Sequence, residues 1–106
     1  MALAGKALAE VIGTFLVISI GGGSILLLEK YPAFFPSFGV AVTFGTIVAL
    51  MILAVGQFSG AHFNPAVTLA FAVVKRLPAS QVPVYWMSQC VGGLAAAGIL
   101  ILLKKL

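Results

Sequence analysis

The sequence predicts an all-α membrane protein, with three transmembrane helices plus a re-entrant half-helix, and three observations carry that prediction. The first is composition. Of 106 residues, 62% are hydrophobic and 8% charged, and mean hydropathy is +1.23. A soluble domain carries about 25% charged residues, so six Lys/Arg and two acidic residues cannot clothe a water-facing surface. The second is three apolar runs, each long enough to cross a hydrocarbon core of about 30 Å. The third is Ser59-Gly60-Ala61-His62-Phe63-Asn64-Pro65-Ala66-Val67-Thr68. Asn64 is a favoured N-cap and Pro65 a favoured first helical residue. The apolar run they open, residues 65–74, is worth only about 15 Å of helix, half a bilayer core. Irregular backbone ahead of so short a helix survives at membrane depth only where it is buried in protein or lines a water-filled cavity. That combination points to a pore.

Taken in order, span one covers residues 7–28 and is read as a retained helix rather than a signal peptide. No small-residue cleavage site follows a short apolar core, and Glu10 lies within the run. Gly21-Gly22-Gly23 either admits a neighbouring helix closely or loosens the last turns. Glu29, Lys30 and the Pro- and aromatic-rich residues 31–38 make a connection suited to headgroup level. Span two covers 39–56, and Gln57-Phe58 leads into the re-entrant loop and half-helix, 59–74. Lys75 and Arg76 then place cations at the half-helix's negative end before Pro78. Span three covers 82–103, with Tyr85 and Trp86 read as aromatic-belt residues near its start. Ser88, Gly92 and Ala96, extended by Gly93 and Ala97, form a small-residue face for close packing. Residues 1–106 read as a single domain.

Following the chain across the bilayer puts Lys6, Lys75 and Arg76 on one side and Lys30, Lys104 and Lys105 on the other. Orientation follows that bias, and three against three is no bias. Either the chain inserts both ways round, or the free amino group and the Lys75-Arg76 pair settle one orientation. Helices pack about 8–10 Å apart, so three spans and a half-helix enclose no lumen. The half-helix's N-terminus and the carbonyls of Gly60 to Phe63 also lack partners. An inverted second copy would supply the other half of the wall, as inverted repeats do in transporters.

Several functions are excluded. The charges stand in ones and twos beside apolar runs, as membrane anchors rather than a nucleic-acid patch. The single Cys90 rules out an internal disulfide or a cysteine-based metal site. No nucleophile–base constellation suggests an enzyme. We expect no catalytic residues, no metal and no cofactor.

Residues 59–68 closely resemble the first signature loop of the major intrinsic proteins, the aquaporins and aquaglyceroporins. Ala9-Glu10-Val11-Ile12-Gly13-Thr14-Phe15 resembles that family's first helix, and Gln89-Cys90-Val91-Gly92-Gly93 its third. The resemblance covers nearly the whole chain, against one of the two inverted halves that family members normally carry. It implies an aquaporin-like hemipore with Asn64, Pro65 and Ala66 at the pore midpoint. The carbonyls of Gly60, Ala61, His62 and Phe63 would form an acceptor ladder, and Glu10 and Gln89 would hold the loop from behind. His62 would lie near a pore vestibule. The arginine that usually follows Asn-Pro-Ala in the second signature loop has no counterpart, since Val67 stands there. In an inverted dimer Phe44 of one chain would meet Ile52 and Val67 of the other in an apolar constriction selecting by size.

The resulting expectation is a passive channel for water or small neutral solutes such as glycerol, formed by an antiparallel dimer and assembled further into tetramers. It would be a multi-pass protein of the plasma (cell inner) membrane. The alternatives are a non-conducting partner subunit of a larger channel and a secondary transporter built from two three-helix halves. Glu10 reads as a buried anchor or a proton-relay site. His62 reads as a vestibule histidine bonded to nearby backbone or as a pH gate. Gln89 reads as a buried hydrogen-bond partner and Cys90 as a small packing residue. Phe44 faces the pore or lipid, and Lys75-Arg76 is a weak candidate for anionic lipid.

Overall fold

A computed structural model describes residues 2–106. Its order is α1 (Leu3–Lys30), α2 (Ser37–Ser59), α3 (Pro65–Val73), a 3-10 turn (Ala79–Gln81) and α4 (Val82–Lys104). The three long helices each have the length and apolarity to cross a membrane, and the protein is an integral membrane protein. At 1.5 Å per residue the nine residues of α3 span about 14 Å, so α3 cannot cross.

Helix α1 is the centre of the packing, with α2 and α4 against different sides of it and α3 against α4. Absent side chains let the helices approach. A Cβ on Gly92 of α4 would lie 2.5 Å from the Val11 carbonyl oxygen of α1, so the two backbones meet directly there. Ser88, Gly92 and Ala96 are all buried along this seam. The glycine run does not loosen α1, which stays helical to Lys30. Gly21 instead receives the Phe44 ring of α2, and Gly22 faces Leu100 of α4.

The ends of the molecule are marked by polar contacts. Lys6 Nζ donates to Gln81 Oε1 at 3.3 Å, joining the start of α1 to the start of α4. At the other end Lys104 Nζ lies 3.9 Å from Glu29 Oε2. Near the first of these ends Leu77, Val82 and Tyr85 form a small apolar core with Phe71 and Ala72 of α3. So α3 returns toward the end of the molecule at which α2 finishes. It closes as a Schellman turn: Arg76 N–H donates to Phe71 C=O at 2.8 Å and Lys75 N–H to Ala72 C=O at 3.1 Å. The residue between, Lys75, takes φ +63°, a left-handed conformation usually left to glycine.

Candidate functional site: a re-entrant loop held from behind

Between α2 and α3 the chain makes an irregular passage through Gly60, Ala61, His62, Phe63 and Asn64. Gly60 has φ +88°, Ala61 +56° and Phe63 +54°. For residues bearing a Cβ the left-handed region costs roughly 1–2 kcal/mol each, so something outside the loop must hold it. That something is Glu10, with no exposure to solvent. Its Oε2 accepts from Ser59 Oγ at 2.7 Å and His62 N–H at 3.1 Å. Its Oε1 accepts from Phe63 N–H at 2.9 Å and Gln89 Nε2 at 2.8 Å. Four donors fill the roughly four lone-pair sites of a carboxylate. A buried polar group this fully bonded avoids a penalty of several kcal/mol, and it pins two loop amides to α1.

A second layer backs the first. Gln89 Nε2 also donates to Thr68 Oγ1 at 2.9 Å, and Thr68 Oγ1 shares a 2.8 Å hydrogen bond with His62 Nδ1. Tyr85 Oη donates to the Ser59 carbonyl at 2.7 Å. Ser59 Oγ accepts from Ala61 N–H at 3.1 Å while donating to Glu10. The His62 ring stacks parallel on Phe71, centroids 4.6 Å apart, and tilts against Tyr85 at 4.8 Å. Phe63 fits its ring where Gly13 of α1 has no side chain.

The front of the loop follows from its back. A trans peptide unit is planar, with its C=O and N–H pointing opposite ways, and the described residues contain no cis bond. The N–H groups of Ala61, His62 and Phe63 all point inward to Ser59 and Glu10. The carbonyls of Gly60, Ala61 and His62 therefore point the other way, and none accepts a hydrogen bond from the described residues. This constraint does not reach the Phe63 carbonyl, whose peptide N–H belongs to Asn64.

Asn64 caps α3, its Oδ1 accepting from Ala66 N–H at 2.8 Å. With the oxygen used, the Nδ2 amide keeps its donors unpaired among the described residues, at the exposed N-terminus of the helix. Trp86 Nε1 donates to the Pro65 carbonyl at 3.1 Å and props the first turn of α3 on α4.

Not every sequence expectation matches these positions. His62 is buried, and its Nδ1 bonds a side chain, Thr68, rather than nearby backbone. Tyr85, expected in an aromatic belt, is 1% exposed. Cys90, expected as a packing residue, is exposed. Phe44 is half-buried against Gly21, whereas Ile52 and Val67 are exposed. Phe44 and Ile52 sit about 12 Å apart along α2, so any constriction joining them needs more than this one chain. Ser59, Thr68 and Tyr85 were missed. Ser59 bonds Glu10, Thr68 bonds His62 and Tyr85 bonds Ser59, and their spacing in the sequence carries no sign of it.

The family model described as Major intrinsic protein matches residues 1–106. A Nicotiana alata protein named "Probable aquaporin NIP-type" is 48% identical over 99 residues, covering 92% of this chain and 36% of that protein. Nodulin-26 of Glycine max is 41% identical, with 92% and 36% covered. Aquaporin Z of Brucella melitensis is 45% identical, with 94% and 44% covered. The chain thus spans about a third to under a half of the length of these relatives.

Proposed function

Because the chain belongs to the major intrinsic protein family, we propose that residues 1–106 are one half-domain of a passive transmembrane pore for water and small neutral solutes. The observation that carries this reading is the two-sided loop. Every inward amide from Ala61 to Phe63 is bonded, while three successive carbonyls and the Asn64 amide face outward without partners among the described residues. A single file of water or hydroxyl groups matches that array. It can donate to the carbonyls of Gly60, Ala61 and His62, with Phe63 continuing the ladder, and accept from Asn64 at the midpoint beside Pro65 and Ala66. The positive N-terminus of α3 disfavours cations at the same point. Glu10 and Gln89 act in this reading as loop supports and carry no solute.

The outward face needs a second wall, and an inverted copy of this chain supplies it. Phe44 of one copy then meets Ile52 and Val67 of the other in an apolar ring without a donor, which sorts by size and admits carbon-bearing solutes. Glycerol is accordingly a substrate candidate beside water. The evenly split cations fit insertion in both orientations in the plasma membrane, and such dimers are units for assembly into tetramers.

Proteoliposomes containing the purified chain are expected to shrink faster than empty vesicles after an osmotic step, with water and glycerol followed side by side. The Asn64→Leu protein should insert equally and lose most of that rate. Equal rates with and without the protein would favour the non-conducting subunit, and dependence on a proton or sodium gradient would favour a transporter. Single cysteines at each terminus, in a Cys90→Ser background, should be labelled from both faces; labelling from one face alone would sink the inverted homodimer.

A further inference from the structure

Away from the loop, at the end of the molecule bearing Lys30 and Lys104, the structure holds a mostly apolar trough of about 810 Å³. Its floor is a strip of α1 through Ser19, Gly23, Leu27 and Lys30, with Phe35 beside the start of α2 and Leu103 on α4 as walls. These α1 residues recur at spacings of three and four, so they share one face. That face lies away from the one holding Phe44 at Gly21, and its row continues the Val11 and Phe15 spacing that meets the α4 backbone lower on α1. Gly23 makes the trough: a Cβ built there would meet nothing within 4 Å.

Length identifies the occupant. From Lys30 to Ser19 the floor falls by eleven residues, about 16 Å of helix. That is the depth of one leaflet of a hydrocarbon core about 30 Å thick. A neighbouring transmembrane helix would run on past the midplane, whereas one acyl chain of one leaflet ends there. The mouth is charged to match a headgroup. Lys30 and Lys104 line it against a single acid, Glu29, whose contact with Lys104 at 3.9 Å joins two exposed side chains. Such a pair is worth little and is readily exchanged for a phosphate. Tyr31, also at the mouth, lies 5.7 Å from Lys30 Nζ and presents an amphipathic ring at headgroup level.

We propose that this trough binds one anionic phospholipid, a single acyl chain lying over Gly23 down to Ser19 and the phosphate held by Lys30 and Lys104. The site stands apart from the loop and does not depend on whether the chain conducts. Lys75 and Arg76, at the opposite end, take no part in it.

Native mass spectrometry of the detergent-solubilised protein, titrated with phosphatidylglycerol or phosphatidylcholine, tests the assignment. The expected result is retention of one phosphatidylglycerol per chain, about tenfold tighter than phosphatidylcholine. Lys30→Gln with Lys104→Gln should erase the preference. Gly23→Leu, which adds a side chain in open space and favours helix, should abolish retention with both lysines intact. Equal retention of the two lipids, or full retention by Gly23→Leu, would overturn the proposal. So would loss of retention in Lys75→Gln/Arg76→Gln instead. A shift to monomers in Gly23→Leu without loss of lipid would assign the trough to a neighbouring copy and likewise overturn it.

Discussion

The two sides of residues 60–64 obey opposite rules. Behind the loop, Glu10 has no exposure and accepts four hydrogen bonds, and Gln89, Thr68 and Tyr85 are buried around it. In front, three carbonyls and the Asn64 amide are left unpaired on a face that includes the exposed Asn64, Pro65, Ala66 and Val67. The difference teaches how a backbone in left-handed conformations can be both rigid and available. All the satisfaction is placed on the amide side, which leaves the carbonyl side unpaired and already in place. Disturbing the back should cost mainly stability, and disturbing the front mainly function. Substitutions can separate the two.

Glu10→Ala should be the most damaging. It strands the Ser59 hydroxyl, the His62 and Phe63 amides and one Gln89 hydrogen, each a buried donor worth roughly 1–3 kcal/mol when unpaired. We expect a loss of at least about 3 kcal/mol in urea unfolding of the detergent-solubilised protein. Glu10→Gln, which keeps one oxygen acceptor, should lose less. A Glu10→Ala protein as stable as the parent would show that the loop is held by its own turn geometry.

Thr68→Val comes next. The change is nearly isosteric and leaves the apolar packing in place, but Gln89 and His62 each lose a partner at a residue with no exposure. A destabilisation of about 1–3 kcal/mol is expected. Tyr85→Phe removes one bond to the Ser59 carbonyl and should cost about 1 kcal/mol.

The order of these effects also says what the sequence made legible. The three spans, the short helix and its Asn64-Pro65 start are written in composition and capping residues, because a membrane punishes every exception to apolarity. Glu10 was conspicuous for the same reason, as a carboxylate inside an apolar run. Thr68 was not. A threonine in the first turns of an apolar helix is cheap, since its hydroxyl can bond its own backbone, and only the fold brings His62 and Gln89 to it. Tyr85 misled because an aromatic residue near the start of a span fits a headgroup belt as well as a core. The left-handed Ala61 and Phe63 had no signal at all: conformations forced by Glu10, 51 and 53 positions away, leave no glycine to read.

At the front, Asn64→Ala tests the other half of the comparison. It deletes the cap on Ala66 N–H, worth about 1 kcal/mol, from an exposed position where water can replace it. Stability should therefore change by that amount or less, while the osmotic shrinkage rate of proteoliposomes falls several-fold. A fall in stability matching Thr68→Val would mean that front and back are a single network.

The smallest expected effect has the opposite sign. Lys75 sits at φ +63° after the last turn of α3 without a partner like Glu10 to enforce it; its backbone is held by the Schellman bonds alone. Glycine adopts that conformation without a Cβ penalty, so Lys75→Gly should stabilise by roughly 0.5–1 kcal/mol. The same substitution at Ala61, where φ is +56°, relieves the same local penalty, but at a position Glu10 fixes through its neighbour. If the carboxylate is what holds the loop, Ala61→Gly should gain stability in the parent, where the left-handed conformation is enforced, and gain less in the Glu10→Gln background, where the loop can relax. Lys75→Gly should give the same increment in both. Equal increments for Ala61→Gly in the two backgrounds would place the strain in the loop itself and remove Glu10 as its cause. A double-mutant cycle on unfolding midpoints reads this directly.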